Sequence, residues 1–186
     1  WTSDGKKETS VRVRFDPRLE EGEQWVLLSP AEDDLDKGAK KALRELQKSE
    51  MEDNPVLYEK LDEMIEVAEL FSETDAQAVY VAQIDEEEFP KDALEVYITL
   101  DKPGAYVSQI EVRSKKSFKP MPIAKVTHLV QSQTFAAPEG DGPAFLASTE
   151  GTVEGEAMFR DFKQLTRQSF FDIEKVEVVS TNGAGG

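Results

Sequence analysis

Across residues 78–179 apolar and polar side chains alternate in runs punctuated by proline and glycine, and this period of two restricts the fold more than any other feature. Successive side chains of a strand point to opposite faces, so Leu94, Val96, Ile98 and Leu100 share one face and Glu95, Tyr97 and Thr99 the other. Lys102-Pro103-Gly104 turns the chain. Beyond it Tyr106, Ser108, Ile110 and Val112 face one way and Gln109, Glu111 and Arg113 the other, which predicts a hairpin. Further strands are predicted over 78–84, 123–135, 144–159 and 164–179, the later ones separated by Gly140-Asp141-Gly142-Pro143 and by Arg160-Asp161. Short turns between consecutive strands imply an antiparallel meander, and strands this long curl as twist accumulates between neighbours.

The first forty residues also begin as strand. Asp4-Gly5 suits a tight hairpin, Val11, Val13 and Phe15 alternate with Arg12 and Arg14, and Trp25 shares a face with Leu27. The period then lengthens to 3.6. Ser29-Pro30-Ala31-Glu32 has the form of a capping box and predicts a helix start, with Leu35, Ala39, Ala42, Leu43 and Leu46 on one stripe. A second start, Asn54-Pro55, precedes Leu57, Leu61, Met64, Ile65, Ala68 and Phe71 at helical spacing. The expected fold is therefore α+β: a curved, half-barrel-like antiparallel β-sheet whose concave face is covered by a helix pair inserted at about 30–72. One domain is expected over 1–179, with a disordered tail over 180–186.

Composition removes several classes of function. The 186 residues carry no cysteine, so a hydrophobic core rather than disulfides or thiolate metal sites must hold the fold. A formal charge of −16, from 38 acidic and 22 basic residues, argues against nucleic acid, whose phosphates require a basic footprint. No run of 18 or more apolar residues exists to form a transmembrane helix. The chain starts at Trp1 without methionine, which fits either an exported protein with its signal peptide removed, the expectation taken here, or a chain trimmed at its start.

Catalytic signatures are lacking, and no cofactor is expected. His128, the only histidine, alternates with Val126 and Val130 and reads as a partly buried imidazole held by one hydrogen bond. Asp85-Glu86-Glu87-Glu88 lacks the spacing that wraps oxygens around calcium and reads as a solvated loop. Gly140-Asp141-Gly142-Pro143 is a turn, since Pro143 removes an amide that a phosphate would need. Charge is more informative: residues 31–75 hold 15 acids against 6 bases, whereas residues 112–138 hold five bases and no acid. Those bases, Arg113, Lys115, Lys116, Lys119 and Lys125, either pair with the protein's own acids or form a basic rim for an anionic partner. A curved sheet with more apolar inner surface than two helices can fill would leave a hydrophobic cavity, lined by Leu57, Leu61, Met64, Ile65, Phe71, Ile110 and Phe135.

The segments Arg14-Phe15-Asp16-Pro17-Arg18, Gly22-Glu23-Gln24-Trp25-Val26-Leu27-Leu28-Ser29, Tyr106-Val107-Ser108, Ser117-Phe118-Lys119-Pro120, Gly155-Glu156-Ala157-Met158-Phe159 and Phe171-Asp172 resemble a family of uncharacterised exported bacterial proteins. The strand layout more distantly resembles the outer-membrane lipoprotein carrier and receptor group, whose half-open β-barrel is lidded by helices. That resemblance implies a periplasmic location and a cavity for a lipid or lipoprotein acyl chain, and no binding residue carries over. The leading expectation is a non-enzymatic carrier of an apolar or lipidic ligand. An envelope scaffolding module with a protein partner comes second, and a hydrolase of unknown specificity third.

Overall fold

In the computed structural model, residues 10–20, 22–48, 68–83, 92–137 and 144–173 are described here. The chain divides into two compact units, one of Trp1–Glu8 with Val56–Phe171 and the other of Thr9–Pro55 with Asp172–Gly186.

The smaller unit opens with an antiparallel hairpin of β1 (Arg12–Phe15) and β2 (Trp25–Ser29). Phe15 is paired with Trp25 and Val13 with Leu27, so the four apolar side chains share a face as their alternation predicts; the Phe15 and Trp25 rings lie 4.8 Å apart. The helix does not begin at the expected capping box. Ser29 is the last residue of β2, opposite Arg12, and is followed by a cis proline and a 3-10 turn over Glu32–Asp34. Helix α1 (Lys37–Lys48) starts instead behind Asp36, whose Oδ1 accepts the Ala39 amide at 2.8 Å, the bond of an N-cap aspartate. Leu35 and Leu43 are buried with Ala39 half-buried between them, which is the apolar stripe foreseen.

The predicted helix pair is not seen among the described residues, where α1 and the 3-10 turn are the only helical segments. Leu57, Leu61, Met64 and Ile65 lie outside the described residues, as do the Asp4-Gly5 turn, Asp85–Glu88 and the 180–186 tail. Phe71, assigned to the second helix, belongs to strand β3 (Glu69–Glu73). Here pairing overrides a local helical spacing. β3 lies against β4 (Gln77–Gln83), and Thr74 closes the hairpin, its amide donating to the Gln77 carbonyl at 2.8 Å and its Oγ1 accepting the Gln77 amide at 3.0 Å.

The larger unit is an eight-stranded antiparallel sheet. It continues through β5 (Leu94–Asp101), β6 (Tyr106–Ser114), β7 (Phe118–Met121), β8 (Ala124–Ala136), β9 (Phe145–Ala157) and β10 (Arg160–Ser169). The order across it is β10-β9-β8-β6-β5-β4-β3, with β7 paired to β8 beyond the end of β6, so the strands meander as expected. β6 and β7 act as one long strand against β8, broken by a bend where Ser114 Oγ accepts the Leu129 amide at 2.9 Å.

One face of this sheet carries the core. Val96, Ile98 and Ile110 are essentially inaccessible, packed with Leu94, Val107, Val112, Phe118, Val126 and Phe135. A register shift between Thr99 and Leu100 places Val107 opposite Leu100 and buries it, rather than Tyr106 or Ser108. Gly155 marks a close approach of two strands. A Cβ there would overlap the Lys125 carbonyl oxygen and reach 3.0 Å from the Phe162 ring, so the ring lies directly over the glycine.

Candidate functional site

Two of the predicted cavity residues are ordinary core. Ile110 has 0% exposure and Phe135 is buried, both packed within the same apolar cluster. Phe71 points the other way: it is exposed and meets the Tyr97 ring edge-on at 5.5 Å. One atom of the core face stands apart. Gln133, 8% exposed and opposite Ile110, has a buried Oε1 with no hydrogen-bond donor.

The predicted basic rim divides into two groups. Arg113 is ion-paired with Glu111 and stacks 4.7 Å over the Tyr97 ring. Lys115 pairs with Glu95 Oε1 at 2.7 Å, a carboxylate that also accepts the Tyr97 hydroxyl at 3.2 Å, and this contact raises the lysine's pKa. These two cations are committed to the sheet's own polar face. Lys116 is exposed in the bend between β6 and β7, and Lys119 and Lys125 are exposed where β7 and β8 meet in a hairpin.

That hairpin belongs to an apolar end of the sheet that the sequence reading did not single out. Met121 is paired with Ala124, so Pro122-Ile123 form a two-residue turn; Ala157 is paired with Arg160, so Met158-Phe159 form another. The turns adjoin, because Ala124 is paired with Ala157 and the Met158 amide donates to the Ile123 carbonyl at 3.1 Å. Together they place Met121, Ile123, Met158 and Phe159 in solvent, the last two 70% and 96% exposed. Leu94, at the start of β5, is paired with Ser114, which is tied to Leu129 of β8. From that row β8 runs on from Leu129 back to Ala124, roughly 17 Å at about 3.3 Å per residue, so the tips stand on an extension of β7–β10.

The backbone of the second turn is unusual for its residues. Met158 has φ 50° and Phe159 φ 63°, the left-handed pair of a type I′ turn, which Asn-Gly forms without strain. Bulky side chains disfavour that region, and strained backbone held against its preference concentrates at functional positions. The only cue in the sequence was two large apolar residues where a turn was needed, next to the Arg160-Asp161 pair taken for the turn itself. The turn in fact precedes Arg160, which opens β10.

His128 is exposed rather than partly buried, and is paired in register with Glu154. Glu154 is held below its ordinary pKa chiefly by the Lys163 ammonium, 2.6 Å from its Oε1. No group of three His, Asp or Glu side chains converges as a metal-ligand set among the described residues. No helix among them is long and apolar enough to cross a membrane. No family model, curated protein or solved structure matches the chain.

Proposed function

We propose that this protein is a non-enzymatic binding module whose contact surface is the apolar end formed by the β7–β8 and β9–β10 turns. The observation that carries this reading is Phe159, almost wholly exposed on a strained turn where a small residue would fold more easily. Exposed apolar side chains gathered from two adjoining turns are the usual mark of a contact surface. Site-specific crosslinking tests it. p-Benzoylphenylalanine replacing Phe159 should give defined adducts in cells of the source organism, and the same group at Leu165, also exposed but on β10 away from the tip, should not. Equal yields from both positions would overturn the reading. The envelope location implied by the resemblance belongs to the same proposal, and cell fractionation would check it.

Gln133 favours a second reading, a carrier in which the antiparallel sheet is curved like a half-barrel around an apolar ligand. A buried acceptor without a donor, on a residue paired with Ile110, suits a ligand that is apolar along its length and bears one hydroxyl or amide. Solvent extraction of purified protein should then release such a molecule. An extract without one, together with a Gln133→Leu variant that is more stable than the parent, would leave the core face as packing alone.

A further inference from the structure

We infer that the surface engaged by the paired turns is a phospholipid bilayer, into which Met121, Ile123, Met158 and Phe159 insert while Lys119, Lys125 and Arg160 meet headgroup phosphates. The inference rests on the reading of these turns as the contact surface and names its partner. Three observations favour lipid over a protein groove. First, the apolar side chains sit on convex tips at the end of an extended hairpin pair, and four of them are far fewer than the roughly 20 to 30 residues a side that a stable protein interface uses. Second, they are large aliphatic, thioether or aromatic side chains, the kinds that enter the boundary between headgroups and acyl chains. Third, one of the two tips, that of Met121 and Ile123, belongs to the one long stretch of an acidic chain that lacks acids, residues 112–138. Lys119 and Lys125 flank Met121 and Ile123, and Arg160 follows Phe159 directly.

Glu156 and Asp161 are in register with Lys125 across β8, β9 and β10, so the cationic excess at the tip is small. Apolar insertion therefore supplies most of the attachment, and anionic lipid adds to it.

The test is co-sedimentation of the full chain with large unilamellar vesicles of phosphatidylcholine, with and without phosphatidylglycerol. The parent protein should pellet with both and more with phosphatidylglycerol. The double variant Met158→Asn/Phe159→Gly, which installs the preferred turn residues and so keeps the hairpin, should lose roughly tenfold or more in partitioning. Lys119→Gln/Lys125→Gln should keep binding to phosphatidylcholine and lose most of the gain from phosphatidylglycerol, roughly fivefold for each lysine. A parent protein that stays in the supernatant with both vesicles, or an Asn-Gly variant that pellets as well as the parent, overturns the inference. If vesicles fail but crosslinking from position 159 captures a single protein, the bilayer is the wrong partner and the contact surface stands. If both fail, the contact-surface reading falls too.

Discussion

Met158 and Phe159 show how much a single pair of backbone angles can reveal. Each occupies the left-handed region without glycine's freedom, at a cost on the order of 1 kcal/mol or more per residue. Met158→Asn/Phe159→Gly should therefore raise the stability of the protein by about 1–3 kcal/mol, read from denaturant melts. A loss of stability would mean that the side chains are held in place by packing rather than merely tolerated. Asp16 offers a second test at this scale. The Arg18 side chain grips its carboxylate through Nε at 2.8 Å and Nη2 at 2.7 Å, and the Arg18 amide adds a bond at 3.1 Å. These bonds hold the Asp16 pKa at about 2, below the ordinary 3.8. Because the folded value is the lower one, this carboxylate's contribution to stability is complete above pH 3.8 and is lost as pH falls through about 2. Arg18→Ala should move the Asp16 carboxyl titration, followed by NMR, back towards 3.8. A titration that stays near 2 would show that another group sets it.

Among the elements, β8 and β9 carry a clear contrast between two glycines. At Gly155 a Cβ would overlap backbone, whereas at Gly151 nothing lies within 4 Å of the added carbon. Gly155→Ala should cost about 1–3 kcal/mol as strand and ring are forced apart, and Gly151→Ala should be neutral or gain a few tenths of a kcal/mol. Comparable melts for the two variants would refute the close approach at Gly155. Much of the sheet was legible in the sequence because alternation reports which side of a strand meets the core: Leu94, Val96 and Ile98 on β5 and Ile110 and Val112 on β6 are buried as the pattern indicates. The parts that were not legible depend on partners. The shift that buries Val107 is set by how β5 and β6 pair, and Phe71 entered a strand because β4 offered it a ladder. Ser29 looked like a helix cap until β2 claimed it, leaving the role to Asp36. The apolar tips were hidden for a different reason. Met121, Ile123, Met158 and Phe159 read as core by composition, and only their place in two adjoining turns reveals their exposure.

For the whole molecule the dominant long-range force is its own charge. A surplus of 16 negative charges opposes any compact state, and it is screened over about 8–10 Å at ordinary salt concentrations. The ion pairs on the sheet's polar face, such as Lys163–Glu154 and Arg167–Glu150, are exposed and each contributes little that salt could remove. Adding sodium chloride to a low-salt buffer should therefore raise the melting temperature, by roughly a few degrees; a fall would mean that the paired charges outweigh the surplus. The meander has a further, kinetic meaning. From β3 to β10 each strand lies beside one made just before it or just after, with β7 the only one set off the path. No long stretch of chain has to be brought back to complete a distant pairing, so little entropy is lost at each closure and rapid folding is expected for so large a sheet. On the ribosome the sheet can grow from β3 outward in the order of translation, and the apolar turn at Met158 and Phe159 is then among the last parts of this sheet to emerge.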